Sequence, residues 1–180
     1  RYDDGKVPKI SAPSEIRSVD PSGAAEAYPG FKFLKLEDTG SASHEKVEIV
    51  FEGIGKYIGG VRFGQLDGYG ILYTPDGRSI LYEGEFEENQ FNGVGIMFND
   101  SRESASEASF AGKLPTNWIR YEGLFLKNKR EGFGELFFKD GSHYSGEFAN
   151  DNANGFGTFV NRQGAKHAGI WRENQLVHLE

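Results

Sequence analysis

The sequence predicts an all-β protein: a single-layer antiparallel meander of β-hairpin repeats with an extended N-terminal arm. Three observations predict this fold. A short motif recurs along the chain, polar and apolar residues alternate around each copy, and turn signals follow the alternating segments. The composition agrees with this fold. The 25 Gly and 15 Phe in 180 residues indicate that the structure requires residues without a side chain, and large aromatic rings, at many positions.

Two segments precede the repeats. Residues 1–30 have no periodicity and hold four of the six prolines, so we expect an extended arm there. Residues 31–56 contain two alternating stretches, 31–36 and 47–51, which predict a strand pair that caps the array.

The repeat array is predicted over residues 57–180. Each repeat begins with Tyr-x-Gly-x-Phe or a variant of it, and a Gly-x-Gly begins eleven residues after the Tyr. The expected repeats are 57–81, 82–120, 121–143 and 144–166, with a half-repeat or cap at 167–180. The residues that carry the pattern are Tyr57, Gly59, Tyr82, Gly84, Phe86, Gly93, Gly95, Tyr121, Gly123, Phe125, Gly132, Gly134, Tyr144, Gly146, Phe148, Gly155, Gly157, Gly169 and Trp171.

Each full repeat is predicted to form two strands. The Tyr, Gly and Phe of the first strand share one face, and the residues between them take the other. The turn between the two strands is expected at Asp67-Gly68, Asn92-Gly93 and Asn154-Gly155. The turn into the next repeat is expected at Asp76-Gly77, Asp140-Gly141 and Gln163-Gly164. Turns at both strand ends predict an antiparallel meander of about eleven strands.

The paired glycines are expected to be structural. Phosphate-binding glycines precede a helix whose N-terminus faces the anion, whereas strand residues follow these glycines. A glycine in a strand allows a neighbouring ring to lie against the backbone. We therefore expect the Tyr and Phe rings to stack across the glycines and to form a core on one face of the sheet.

An insertion breaks the period after the second repeat. The 22 residues 99–120 separate Phe98 from Tyr121. One interpretation is a tolerated surface loop, since long insertions cost little closure entropy. The other is a docking loop, because Trp118 and Ile119 lie in it.

The repeated pattern resembles the MORN (membrane occupation and recognition nexus) repeat. The resemblance covers Tyr57 to about Trp171. It departs from the pattern at Val61, which stands in the aromatic place of the first repeat, and at His167, which replaces the Tyr of the last. The resemblance implies an elongated, twisted sheet with a groove, and roles in scaffolding, membrane-associated assemblies, cytoskeletal structures and cilia. It carries over no catalytic residues.

The sequence predicts no enzyme activity, no cofactor and no metal site. The chain has no Cys, which excludes disulfides, thiolate zinc sites and Cys nucleophiles. The four histidines lack the spacing of zinc ligands. Neither a Gly-x-Ser-x-Gly nucleophile motif nor a Gly-Lys-Ser/Thr phosphate loop is present.

The leading functional expectation is a scaffold or adaptor subunit that binds protein within a larger assembly through its repeat sheet and N-terminal arm. Second-strand residues facing away from the glycines form an apolar stripe that needs cover, and the insertion adds a tryptophan. The candidate partner-binding residues are Tyr69, Tyr73, Val94, Phe98, Phe133, Phe137, Phe156 and Trp118. Two alternatives remain open: a phosphoinositide-binding membrane-targeting module, and an accessory subunit of an enzyme whose catalytic part is another chain.

The expected partner is a protein, in a membrane-associated, cytoskeletal or ciliary assembly or as a second copy of this chain. Nucleic acid is not expected, because the net charge of -7 repels a phosphate backbone. A cytoplasmic location, with association to membrane or cytoskeleton, is the first expectation. An organelle interior is the alternative, since residue 1 is Arg and a presequence would then have been removed.

Overall fold

The computed structural model describes residues 45–51, 55–99 and 110–179, and every regular element in these ranges is a β-strand. The strands follow one another in one antiparallel sheet in the order of the chain, which confirms the predicted all-β meander. The predicted arm at 1–30 and the predicted strand at 31–36 lie outside the described residues. The strands are β1 (Glu45–Phe51), β2 (Gly55–Arg62), β3 (Gln65–Tyr73), β4 (Ile80–Glu87), β5 (Gln90–Phe98), β6 (Trp118–Leu126), β7 (Lys129–Phe138), β8 (His143–Ala149), β9 (Asn152–Val160), β10 (Lys166–Arg172) and β11 (Gln175–Leu179).

The described residues form eleven strands. Ten of them correspond to strands that the sequence predicted, and β11 was not predicted. The expected half-repeat is a complete hairpin, because β10 continues into β11 and pairs with it from Gly169 to Arg172. The segment 47–51 is a strand, and it begins slightly earlier, at Glu45.

The chain divides into two compact units, Arg1–Gly93 and Val94–Glu180. The N-terminal unit holds β1 to β4 and the first residues of β5. The C-terminal unit holds the rest of β5 and β6 to β11.

The hairpin turns do not lie where the sequence analysis placed them. Each turn within a repeat has two residues, both with φ between 47° and 69°, which is the type I′ geometry that suits the twist of the flanking strands. The predicted positions at Asp67-Gly68, Asn92-Gly93 and Asn154-Gly155 are wrong, because these pairs lie inside the second strand of each hairpin. The observed turns are Phe63-Gly64, Glu88-Asn89, Lys127-Asn128, Asn150-Asp151 and Glu173-Asn174.

The mispredicted pairs form β-bulges. In the fourth repeat Gly146 pairs with Gly157 and Phe148 pairs with Ala153, so three residues of β9 face the single residue Glu147. Gly155, within this bulge, has a φ of 114°. Turns and bulges both select Asn-Gly because both require a positive φ, and this shared requirement explains the error.

The turns between repeats lie where they were predicted. The N–H groups of Gly77, Gly141 and Gly164 each donate to the carbonyl three residues earlier. All three glycines have positive φ, the conformation that glycine adopts without steric cost.

One face of the sheet, which we call the core face, carries the Tyr, Gly and Phe of each first strand. The rings of Tyr57, Tyr82, Tyr121 and Tyr144 are fully buried there. A Cβ on Gly134 would overlap the Tyr121 hydroxyl and lie 2.5 Å from its ring carbon Cε2. Gly70 and Gly157 face Tyr57 and Tyr144 in the same way.

The predicted stacking of rings across glycines is confirmed for the second glycine of each of these Gly-x-Gly pairs. It is wrong for the first glycine, because the bulge turns that residue away from the ring. A Cβ on Gly155 would instead meet the carboxylate of Glu147, and a Cβ on Gly132 would lie 3.1 Å from Cδ1 of Leu124.

Edge-to-face ring contacts on the core face link aromatic residues both within a repeat and between successive repeats. Within the C-terminal unit Tyr121 contacts Phe148 at 5.0 Å, Tyr144 contacts Phe148 at 5.3 Å, and Tyr144 contacts Trp171 at 5.1 Å between ring centroids. Such pairs each contribute about 0.5–1.5 kcal/mol beyond their buried area. Trp171, which the sequence analysis counted among the residues of the repeat pattern, therefore takes the place of the Phe in the last hairpin.

The described part of the insertion, residues 110–117, packs against the C-terminal unit as a strap. The Phe110 ring stacks on Phe159 at 4.6 Å and lies 4.5 Å from the His167 ring. The N–H of Leu114 donates to the carbonyl of Asn174 at 2.9 Å, and that of Leu176 donates to the carbonyl of Gly112 at 2.7 Å.

The surface-loop interpretation does not describe this strap, and the docking-loop interpretation stays a prediction. Leu114 and Asn117 are buried at 5% and 3% exposure, so this part is not a loose surface loop. Trp118 and Ile119 were expected in the loop, but they are the first residues of β6. The strap covers the apolar side of the last hairpin, since it lies over the rings of Phe159 and Trp171.

Candidate interaction surface

The face opposite the core face, which we call the outer face, carries the alternate residues of every strand. Glu83 and Glu85 lie there between the buried residues Tyr82, Gly84 and Phe86 of β4. Second strands alternate in the same sense, because Leu136 of β7 is buried whereas Phe133 is 63% exposed. The predicted division of each strand between the two faces is therefore confirmed.

The candidate partner-binding residues fall into two groups. Tyr69, Val94, Phe133 and Phe156 are exposed, Phe156 at 52%. Tyr73, Phe98, Phe137 and Trp118 are half-buried.

Basic side chains lie against three members of the second group. The Arg120 guanidinium lies 4.3 Å from the Phe137 ring centroid. Lys56 lies 4.9 Å from the Tyr73 ring, and Arg130 lies 5.1 Å from the Trp118 ring. Cations at these distances are attracted by the ring quadrupole. Basic side chains of the same chain therefore already cover part of the surface of these three rings.

Four apolar side chains of the C-terminal unit form a row across the outer face, one from each of β6, β7, β9 and β10. Phe133 pairs with Glu147 of β8, and Phe156 pairs with Ile170 of β10. We call the set Leu124, Phe133, Phe156 and Ile170 the apolar row. Glu147 occupies the β8 place in its middle.

The sequence did not predict Leu124 and Ile170, which complete this row. The corresponding residue three positions after the Tyr is Glu85 in the second repeat and Glu147 in the fourth. Leu124 is 41% exposed and lies over the bulge at Gly132. A comparison of this position among the repeats could have found the change from carboxylate to aliphatic residue.

The surroundings of the apolar row are acidic. The Oε2 atom of Glu147 accepts a hydrogen bond from the N–H of Phe156 at 3.1 Å, which holds the carboxylate between the two exposed rings. Glu122 and Glu135 pair with each other in the next row along the strands. Arg120 forms an ion pair with Glu122 at 3.1 Å, and Glu135 is exposed.

The phenols of the core face serve the fold. The hydroxyl of Tyr57 donates to the backbone carbonyl of Gly60 at 2.8 Å, and the hydroxyl of Tyr144 donates to the backbone carbonyl of Glu147 at 3.2 Å. Tyr82 and Tyr121 make the same bond to the residue three positions later. Burial raises the pKa of all four phenols well above their ordinary value because the charged form would lose its hydration.

Arg130 is a charged residue on the core face that the sequence analysis did not single out. It stands where the first, second and fourth repeats have Leu66, Phe91 and Ala153. Its guanidinium lies 5.7 Å from the Tyr121 ring and 3.5 Å from Asp151 Oδ1. We assign Arg130 a structural role, since its guanidinium pairs with Asp151 and lies against the Tyr121 ring.

A shallow cleft of about 330 Å³ lies beside β11, where the strap leaves the hairpin. Its lining is Phe110, Gly112, His167, Leu176, Val177, His178 and Leu179. Two histidines without a nearby carboxylate or nucleophile among these residues do not form a catalytic arrangement.

Within the described ranges no cluster of His, Asp and Glu is arranged to hold a metal ion. The same ranges contain no helix of the length and hydrophobicity needed to cross a membrane.

The MORN repeat model matches four segments of the chain, residues 57–77, 82–101, 121–143 and 144–166. These segments begin at the four tyrosines of the core face. A comparison with curated proteins found no match. MORN repeats are in general protein- or lipid-interaction modules and not enzymes.

Proposed function

Since the chain belongs to the MORN repeat family, we propose that it is a non-catalytic scaffold or adaptor subunit that binds protein through the outer face of its C-terminal unit. The observation that carries the proposal is the exposure of Phe133 and Phe156, at 63% and 52%. They stand on the same strands as fully packed core-face rings.

The packing of the two faces supports this choice of surface. Rings, glycines and the strap fill the core face of the C-terminal unit, with Trp171 at 1% exposure and Leu114 at 5%. A partner at that face would have to displace the strap. The outer face instead offers large apolar side chains without rearrangement, and aromatic anchors at an interface commonly contribute about 2 kcal/mol or more each.

The experiment is an affinity capture with the full chain and two double variants. Phe133→Ser with Phe156→Ser removes both exposed rings of the apolar row. Val177→Ser with Leu179→Ser is the matched control, because these residues are exposed at 53% and 64% but lie on β11.

The proposal predicts that the Phe133/Phe156 variant loses its protein partners and that the control retains them. Circular dichroism should show the same strand content and melting temperature in both. Equal capture by both variants would refute the outer face as the binding surface. Retention on anionic vesicles, without protein partners, would favour the lipid-binding alternative.

A further inference from the structure

The apolar row has the geometry of a strip on which a helix can dock. Its members lie on strands β6 to β10, and neighbouring strands are about 4.8 Å apart, so the row is about 19 Å long. An α-helix rises about 1.5 Å per residue, and about 13 residues would therefore span it. The helical pitch of about 5.4 Å places one apolar side chain near each strand.

The charges beside the row specify the polar side of such a helix. Glu147 stands inside the row and Glu135 beside it, and Glu122 lies in the same neighbouring row as Glu135. Arg120 lies one row further along the strands and is already paired with Glu122. The exposed Arg172, two residues after Ile170 on β10, flanks the row on the side opposite to Glu135. A partner with Lys or Arg beside its apolar stripe would complement these carboxylates, whereas an acidic helix or an anionic surface would be repelled.

The corresponding positions of the N-terminal unit lack this arrangement. Gly60, Tyr69 and Glu85 occupy the places of Leu124, Phe133 and Glu147 there. The Tyr69 hydroxyl donates to Glu83, so its ring is tied to the local sheet. The strip is a property of the C-terminal unit.

We propose that the apolar row of the C-terminal unit docks a basic amphipathic helix, laid across strands β6 to β10, with its apolar stripe on Leu124, Phe133, Phe156 and Ile170 and its cations on Glu135 and Glu147. This inference rests on the proposed function, because it names the chemistry of the partner for the same surface.

The test uses the full chain and three synthetic peptides of about 14 residues. The first has leucines at helical spacing and lysines elsewhere. The second has the same composition in scrambled order, and the third has glutamate in place of lysine. The binding of each is measured by calorimetry at low and at physiological ionic strength, together with vesicles of phosphatidylserine and phosphatidylcholine.

The expected result is that only the first peptide binds, and more weakly as salt rises. Phe133→Ser with Phe156→Ser should abolish binding. Glu135→Lys with Glu147→Gln should weaken it about tenfold or more, the glutamine being chosen to keep an acceptor for the N–H of Phe156. Val177→Ser with Leu179→Ser should bind normally.

Three outcomes would overturn the inference. Equal binding of the scrambled or the acidic peptide would show that helical amphipathicity or charge does not matter. Vesicle binding that depends on Phe133 and Phe156, without peptide binding, would assign the row to a lipid surface. If mutation of the row abolishes protein capture but no peptide binds, the partner is not a basic helix, although the proposed function still holds.

Discussion

At the scale of single residues, the glycine and tyrosine of each repeat act as one packing unit. The tyrosine ring needs the space that a Cβ would fill on Gly134 or Gly157, and its hydroxyl satisfies a carbonyl in the same strand. The sequence predicted that the ring stacks on the Gly-x-Gly pair of the adjacent strand. It did not distinguish the second glycine from the first, because the bulge depends on strand pairing.

Gly134→Val should destabilise the protein by about 1–3 kcal/mol, because the new side chain overlaps the buried Tyr121 ring. The control is Glu135→Val, at the adjacent exposed position, which should change stability by less than about 0.5 kcal/mol. Denaturant unfolding measures both. Glu85 and Glu147 are poor controls, since each lies against the bulge glycine of its hairpin. Equal midpoints for the two variants would contradict the packing account.

The four buried phenols predict a loss of stability in alkaline solution. Burial raises the pKa of Tyr57, Tyr82, Tyr121 and Tyr144 in the folded state, while the unfolded chain titrates near a pH of about 10. The unfolded state therefore releases protons first, and stability, fully present below about pH 10, falls as the pH rises further. The tyrosinate absorbance of these four phenols should rise together with the loss of the circular dichroism signal. Complete tyrosinate formation in a folded protein would contradict this prediction.

At the scale of the elements, the hairpin turns are the part of the fold for which the sequence was misleading. Every repeat has two glycine- or asparagine-rich sites at nearly constant spacing, one a turn and the other a bulge, and both need positive φ. Strand pairing decides between them, and pairing is not local. The second turn residue also bonds to the preceding hairpin, as Asn174 does to Ala153.

Asn174→Ala should therefore cost about 1–2 kcal/mol, because alanine tolerates the positive φ of this position less well than asparagine and cannot replace the 2.8 Å bond to the N–H of Ala153. Asn174→Gly should cost less, since glycine keeps the turn conformation. Asn154→Ala, at the position first expected to be a turn, is the comparison and should be nearly neutral because Asn154 is exposed in β9. Thermal unfolding of the three variants measures the order. A reversed order would contradict the assigned turn.

The strap is an element that the sequence could not place, because its contacts join residues far apart in the chain, such as Leu114 and Asn174. Phe110→Ala should weaken the last hairpin by about 1–3 kcal/mol, since it empties the contact with Phe159 and Trp171. Amide hydrogen exchange should then accelerate in β10 and β11. Phe133→Ala, which removes an exposed ring of the same size, should leave that exchange unchanged. Unchanged exchange in the Phe110 variant would show that the strap does not stabilise the hairpin.

At the scale of the whole molecule, the repeated residues determine which side chains lie on the core face, whereas the residues of the outer face differ from repeat to repeat. The sequence predicted the all-β meander because its repeating rings and glycines serve only the fold. It identified Phe133 and Phe156 as exposed aromatics because strand alternation places them opposite the glycines. It did not identify the apolar row, since Leu124 and Ile170 belong to first strands and join the row only through pairing across β6 to β10.

The central claim is that the partner contacts the outer face of the C-terminal unit, and site-specific photo-crosslinking tests it most directly. A benzophenone amino acid is placed in the full chain at Phe133, at Phe156 or at Val177, which are similarly exposed. The account predicts protein crosslinks from positions 133 and 156 and none from 177. Crosslinks from 177 alone, with positions 133 and 156 silent in a protein that still captures its partner, would contradict it.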